Sequence, residues 1–275
     1  MEGGSSDASI SASSHQAATA QPPPTPPPYS LPPSLFMPED ILFCVDIGPE
    51  SRTEMRVSGP KGRGVTRLDA IKQALLLFTH SKLNMCTDHR FSFSSLGKSF
   101  SWVKRDFSND IKSVTEAVRY LTIPEAPVEG ADITKLFEFA NFEARRSHAQ
   151  GRLFRVVLIY CRSSVPPKHR WPVNQKTFTM DVVYLHDKPG PDNCPQKVFD
   201  TLVDAVEHVS QYEGYVFEIG QGMTRVLFRY VCVLLAHPTQ RCIQDDFDVP
   251  KAIIKRAPPG GGEGTQSDDS MIIST

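Results

Sequence analysis

The stretch "ILFCVDIGPES", residues 41–51, decides how this chain is read. An apolar run reaches Asp46 and then breaks into Gly48-Pro49. A strand buried on both faces has this continuous character, because a parallel sheet covered by helices leaves neither face in water. A carboxylate at the end of such a strand stands at the rim where open α/β sheets bind their ligands. The chemical question is whether Asp46 still serves an ion or a reaction, or whether only the scaffold remains.

Working outward from that strand, the apolar pattern alternates between two periods. Leu68, Ile71, Leu75 and Phe78 recur at helical spacing over residues 67–83. Residues 90–97 alternate as a strand, and residues 99–105 return beside them as a hairpin turning on Gly97-Lys98. Ser108 is placed to cap a helix bearing Ile111, Val114, Val118 and Leu121. A third helix is predicted over 132–149, with Ile133, Leu136, Phe137 and Ala140 on its buried side. Strands follow at 153–161 and 178–186, a helix at 198–209, a strand at 214–220 and a closing helix at 224–236. Strands and helices in this order imply an α/β fold with a mostly parallel sheet, helices on both faces and one antiparallel edge strand.

The sequence divides into a Ser/Ala/Pro-rich tail at 1–36, one domain at 37–243 and a flexible Gly/Ser-rich tail at 244–275. The tract "QPPPTPPPYSLPP" at 21–33 favours polyproline II, which suits a spacer or a ligand for a reader of proline-rich motifs. The last segment, "SDDSMIIST" at 267–275, has the mixed acidic and apolar character of a docking peptide or of a frayed end. With 30 basic and 31 acidic side chains, the chain has no overall electrostatic footprint for nucleic acid. Its most apolar stretch, 226–237, is too short to span a bilayer and contains Arg229, so no membrane segment is expected. The six cysteines show no Cys-x-x-Cys spacing, which excludes a zinc finger. Cys44, Cys161 and Cys232 fall in apolar runs and read as small core residues, in keeping with a reducing, intracellular setting.

Catalytic signatures fail one after another. No Walker loop, dinucleotide fingerprint, His-Glu-x-x-His or comparable metalloprotease pattern is present, so no cofactor is expected. The glycine-rich loop at 59–64 lacks phosphate-loop spacing and reads as a connector, although Lys61, Arg63 and Arg67 offer charge to an acidic partner. Cys161, His186 and Asp46 would make a nucleophile, base and orienting group if the strand order brings their ends together. His80, His89, His148 and His208 stand singly and read as solvated surface histidines.

The strand ending in Asp46 resembles the first strand of von Willebrand A domains, where an Asp-x-Ser-x-Ser loop and later Thr and Asp residues hold a magnesium-type ion. A hard cation needs several oxygen ligands converging on it. Here Gly48 and Glu50 replace the two hydroxyls, Thr134 or Asp132 supplies at most one further oxygen, and Cys161-Arg162 follows the strand where another aspartate belongs. The ion site is therefore expected to be degenerate, with no metal bound. A metal-dependent ligand-binding domain of this type is the alternative.

The later runs "VVLIYCR", "DVVYLHD" and above all "LLAHPTQR" at 234–241 resemble the von Willebrand A-like MERIT/NBA subunit of the BRISC and BRCA-A deubiquitinase complexes. The resemblance spans about residues 38–242 and leaves out both tails. The proline tract stands where animal members have a long acidic region, which points to a distant, plant-type member. The resemblance implies a non-catalytic scaffold that binds a BRE-like subunit. It implies a place beside an Abraxas-like scaffold and a JAMM-type protease that cuts lysine-sixty-three-linked ubiquitin chains, in the cytoplasm and in DNA-damage signalling in the nucleus. It also implies a docking surface at His237, Pro238, Gln240 and Arg241.

Overall fold

The opening run forms β1 (Glu39–Asp46), with every residue buried, in a computed structural model that describes residues 37–56, 64–126, 128–172, 175–220 and 224–246. The proline tract, the loop residues 59–63 and the C-terminal segment 267–275 lie outside the described residues. On one side of β1 come β4 (Arg90–Leu96) and the antiparallel edge β5 (Phe100–Ser108). On the other come β6 (Leu153–Tyr160), β7 (Thr179–Leu185) and β8 (Val216–Ile219). The sheet order is β5-β4-β1-β6-β7-β8. It is parallel except for the edge strand β5, and that parallel sheet with one antiparallel edge is what the sequence patterning predicts. Two short strands, β2 (Glu54–Met55) and β3 (Val65–Thr66), pair outside it.

Alternation along the strands sorts the core into two layers. Ile41, Phe43 and Val45 of β1 face α1 (Arg67–Met85), α2 (Ile111–Tyr120) and α5 (Thr224–Val233), while Leu42 and Cys44 face α3 (Thr134–Ala149) and α4 (Pro195–Val209). Phe43 is held edge-on by Phe78 of α1 at 5.4 Å between ring centroids and stacks on Phe93 of β4, also at 5.4 Å. Burying such a ring stabilises the fold by roughly 1.5–3 kcal/mol. Two-sided burial of this kind explains why β1, β6 and β7 read as unbroken apolar runs.

Several boundaries move for identifiable reasons. Ser108 closes β5, and the cap of α2 is Asp110, whose carboxylate accepts from Ser113 N at 2.9 Å. Asp132 precedes α3 and accepts from Thr134 N at 2.9 Å, so that helix starts at Thr134. Pro195 opens α4 three residues before the predicted start, at a position where its missing N–H costs nothing. Cys232 is exposed, on the outer side of α5, whose buried side carries Leu227 and Val231. The domain extends past residue 243, because the Gln244 side chain bonds both Val216 N at 2.7 Å and Val216 O at 2.9 Å along the free edge of β8. Among the described residues no helix is long and apolar enough to cross a membrane.

Candidate functional site

The connections leave β1 in opposite directions, through α1 to β4 and later in the chain to β6, so the crevice beyond β1 is the topological switch point. Its floor is Asp46, fully buried. Asp46 Oδ1 accepts from Gly48 N at 2.8 Å, and Oδ2 accepts from Cys161 N at 3.1 Å. The remaining approach is filled by Arg162, which donates from Nε to both carboxylate oxygens at 3.1 and 3.0 Å and from Nη2 to Oδ1 at 3.0 Å. A fork of charge-assisted bonds is among the strongest polar arrangements a protein interior offers.

The other residues expected around an ion face elsewhere. Glu50 accepts from Ser163 N at 2.8 Å and from the Ser163 hydroxyl, and lies 3.5 Å from Arg67 Nη1. Thr134 Oγ1 accepts from Arg170 N at 3.1 Å at the start of α3. Gly48 has no side-chain oxygen to give. A divalent cation at Asp46 would have to expel the guanidinium and leave a buried arginine unpaired, so this donor set does not fit such an ion. No cluster of three or more His, Cys, Asp or Glu side chains placed to hold a metal occurs among the described residues.

Cys161 and His186 are brought to the same rim but not into partnership. Burial pushes the Cys161 thiol up to about 12, with Asp46 adding to the effect, so it is protonated at neutral pH. His186 turns its Nδ1 to Asp187 O at 2.6 Å and its Nε2 to Glu218, 2.8 Å away. Arg67, expected to face an acidic partner, is buried. It bonds Asp187 Oδ1 at 2.7 Å and Glu50 O at 3.3 Å, and Asp187 N donates to Ser163 Oγ at 2.8 Å. These residues tie the ends of β1, β6 and β7 to the first turn of α1.

The opposite, amino-terminal end of the sheet holds a second set of charges that the sequence reading did not identify. Glu39, Arg155 and Asp181 lie on the face toward α1 and α5, and all three are fully buried. Arg155 donates to Asp181 Oδ2 at 2.6 Å, to Glu39 Oε2 at 3.3 Å and to Leu234 O at 2.7 Å, and Lys82 of α1 pairs with Glu39. Burial alone would raise the pKa of Asp181; Arg155 and Arg241 more than offset it and hold the carboxyl below its usual range.

Arg241 therefore requires a correction. Its side chain is fully buried, bonds Asp181 at 2.5 and 3.1 Å, and lies 4.6 Å from the Tyr215 ring centroid. It closes the domain and is not a free docking anchor. His237 and Pro238 are also buried, with His237 Nε2 3.1 Å from Met37 O, whereas Gln240 is exposed. His89 is buried as well, accepting from Glu39 N at 2.9 Å. A signal for this cluster was present in the sequence. Arg155 and Asp181 interrupt apolar runs, and charges inside buried strands must find each other.

Beside the cluster opens a largely apolar groove of about 260 Å³, lined by Met37, Met85, Cys86, Leu235, His237 and Gln240 among others. It contains the exposed part of the segment in which docking was expected.

The strand order, the antiparallel edge and the switch-point aspartate together give this α/β domain a von Willebrand A-like fold. No protein-family profile matches the sequence. No curated protein is similar to it at a significant level. Similar solved structures include the VWA domain of SpRpn10, with TM-score 0.44, 11% identity, and 70% of this chain and 94% of that one covered. The N-terminal domain of TFIIH p34 gives 0.47 and 10%, with 71% and 96% covered. The PilB minor pilin from Streptococcus sanguinis gives 0.46 and 8%, with 72% of this chain but only 60% of the pilin covered. At these identities the likeness concerns the fold alone.

Proposed function

We propose that this chain is a non-catalytic adaptor of a JAMM-type deubiquitinase assembly of the BRISC or BRCA-A kind. In that role it binds a BRE-like subunit and thereby helps to hold the protease and an Abraxas-like scaffold in one complex acting on lysine-sixty-three-linked ubiquitin, in cytoplasm and nucleus. The family resemblance of residues 234–241 suggests the assembly. The observation that carries the adaptor reading is the groove beside that segment, where apolar side chains and Gln240 border a concave surface. Apolar side chains in a concavity are what an anchoring side chain of a partner fills.

The docking face accordingly shifts from Arg241 to the groove. Met85 is 64% exposed, so a charge there leaves the core untouched while opposing an apolar partner. Purified full-length chain is expected to bind a recombinant BRE-like subunit in calorimetry, and Met85→Glu to weaken that binding at least tenfold with the melting temperature unchanged. Equal binding by wild type and variant would move the interface elsewhere. No binding by either would remove the reading.

A further inference from the structure

The guanidinium of Arg162 joins more than two residues. Besides Asp46 of β1, its Nη2 donates to Gly97 O at 2.6 Å in the β4–β5 turn, its Nη1 donates to Gly130 O ahead of α3, and its own backbone leaves the end of β6. Segments distant in sequence thus converge on one positive charge whose side chain is 3% exposed. Gly48 provides the second observation. Its φ of −63° and ψ of 169° are open to any residue, so the backbone gives no reason for glycine there. The guanidinium does: a Cβ at position 48 would lie 2.9 Å from Arg162 Nε and 3.1 Å from Asp46 Oδ1.

We infer that Arg162 is a permanent, built-in cation of this domain. It engages the carboxylate that a divalent ion would need, binds the carboxyl-end loops to one another, and occupies space that the absent side chain of Gly48 leaves open. A planar fork that stays charged at every accessible pH suits that task, because it cannot be chelated or diluted away. The rim is consequently shaped independently of metal supply, and it offers no vacant coordination position to an acidic ligand. This holds whether or not the adaptor reading is right.

Two measurements on the full chain test it. Manganese titration followed by electron paramagnetic resonance should show no saturable binding to the wild type, and neither magnesium nor EDTA should move its melting temperature. Saturable manganese binding that is lost in Asp46→Asn would overturn the inference. The second is a double-mutant cycle in thermal denaturation. Arg162→Ala should lower the melting temperature by on the order of 10 °C, as expected for breaking a buried ion pair in a domain of this size. Gly48→Ala should cost several degrees in the wild type and much less in the Arg162→Ala background, where the guanidinium is gone. An equal cost in both backgrounds would contradict the assigned role of Gly48. If Arg162→Ala does not fold, the manganese titration of the wild type decides the matter alone.

Discussion

Asp181 and His89 show how single buried groups govern this fold. Asp181 faces Arg155 and Arg241 at once, and its Oδ1 also accepts from Tyr215 N at 2.9 Å. Asp181→Asn keeps the shape but strands two buried guanidinium groups, which is expected to destabilise the domain by about 3–5 kcal/mol in urea denaturation. His89 works in the opposite sense. Burial is the largest influence and, together with the smaller effects of Lys82, His237 and Arg152, it outweighs the opposing pull of Glu39 and lowers the pKa from 6.5 to about 4. The unfolded chain therefore binds more protons between those values, so stability is present above pH 6.5 and lost as the pH falls toward 4. Burial shifts His237 downward too, which adds in the same direction. The loss attributed to His89 is on the order of 3 kcal/mol. His89→Asn, which keeps an acceptor for Glu39 N without titrating, should flatten the stability curve across this window. An unchanged slope would remove His89 as its source.

At the scale of elements, the exposed edge of β8 is finished by a side chain. Gln244 presents its amide to Val216 as a neighbouring strand would present a peptide group, and Gln244 N donates to Glu213 Oε1 at 3.0 Å. Gln244→Ala should cost on the order of 1 kcal/mol. Hydrogen exchange should speed up at Val216 while the β1–β6 ladder stays protected. Elements were also where the sequence was most legible. Every strand of the large sheet and each helix produces a periodic apolar signal, and the run of burial that marks β1 and β6 is visible without coordinates. What periodicity does not encode is the partner of a charge. Arg162 reads from the sequence only as a cation hostile to a metal, and nothing in its spacing shows that it bends back onto Asp46. Arg241 reads as an anchor because an arginine after an apolar helix is common at interfaces, and only the register of β7 shows that Asp181 receives it. The edge role of Gln244 was hidden by its position in a polar stretch that resembles a tail.

Over the whole molecule, the two ends of the sheet differ in character. The carboxyl end, where α/β domains usually act, is drawn together by Arg162 on Asp46 and by Arg67 and Ser163 on Glu50. The amino end sets a buried ionic cluster under an apolar groove. The segment 234–241, most telling for the family resemblance, spans both roles. Leu234 O and Arg241 hold the cluster together, while Leu235, His237 and Gln240 line the groove. On this account, function resides in what that groove receives. The most direct measurement is affinity purification of the tagged full chain from native extract, reading the recovered BRE-like and JAMM-type proteins together with cleavage of lysine-sixty-three-linked ubiquitin by the eluate. Wild type should recover both proteins and the cleaving activity, and Met85→Glu should lose all three. Cleavage by the purified chain alone, or recovery of neither protein by the wild type, would contradict it.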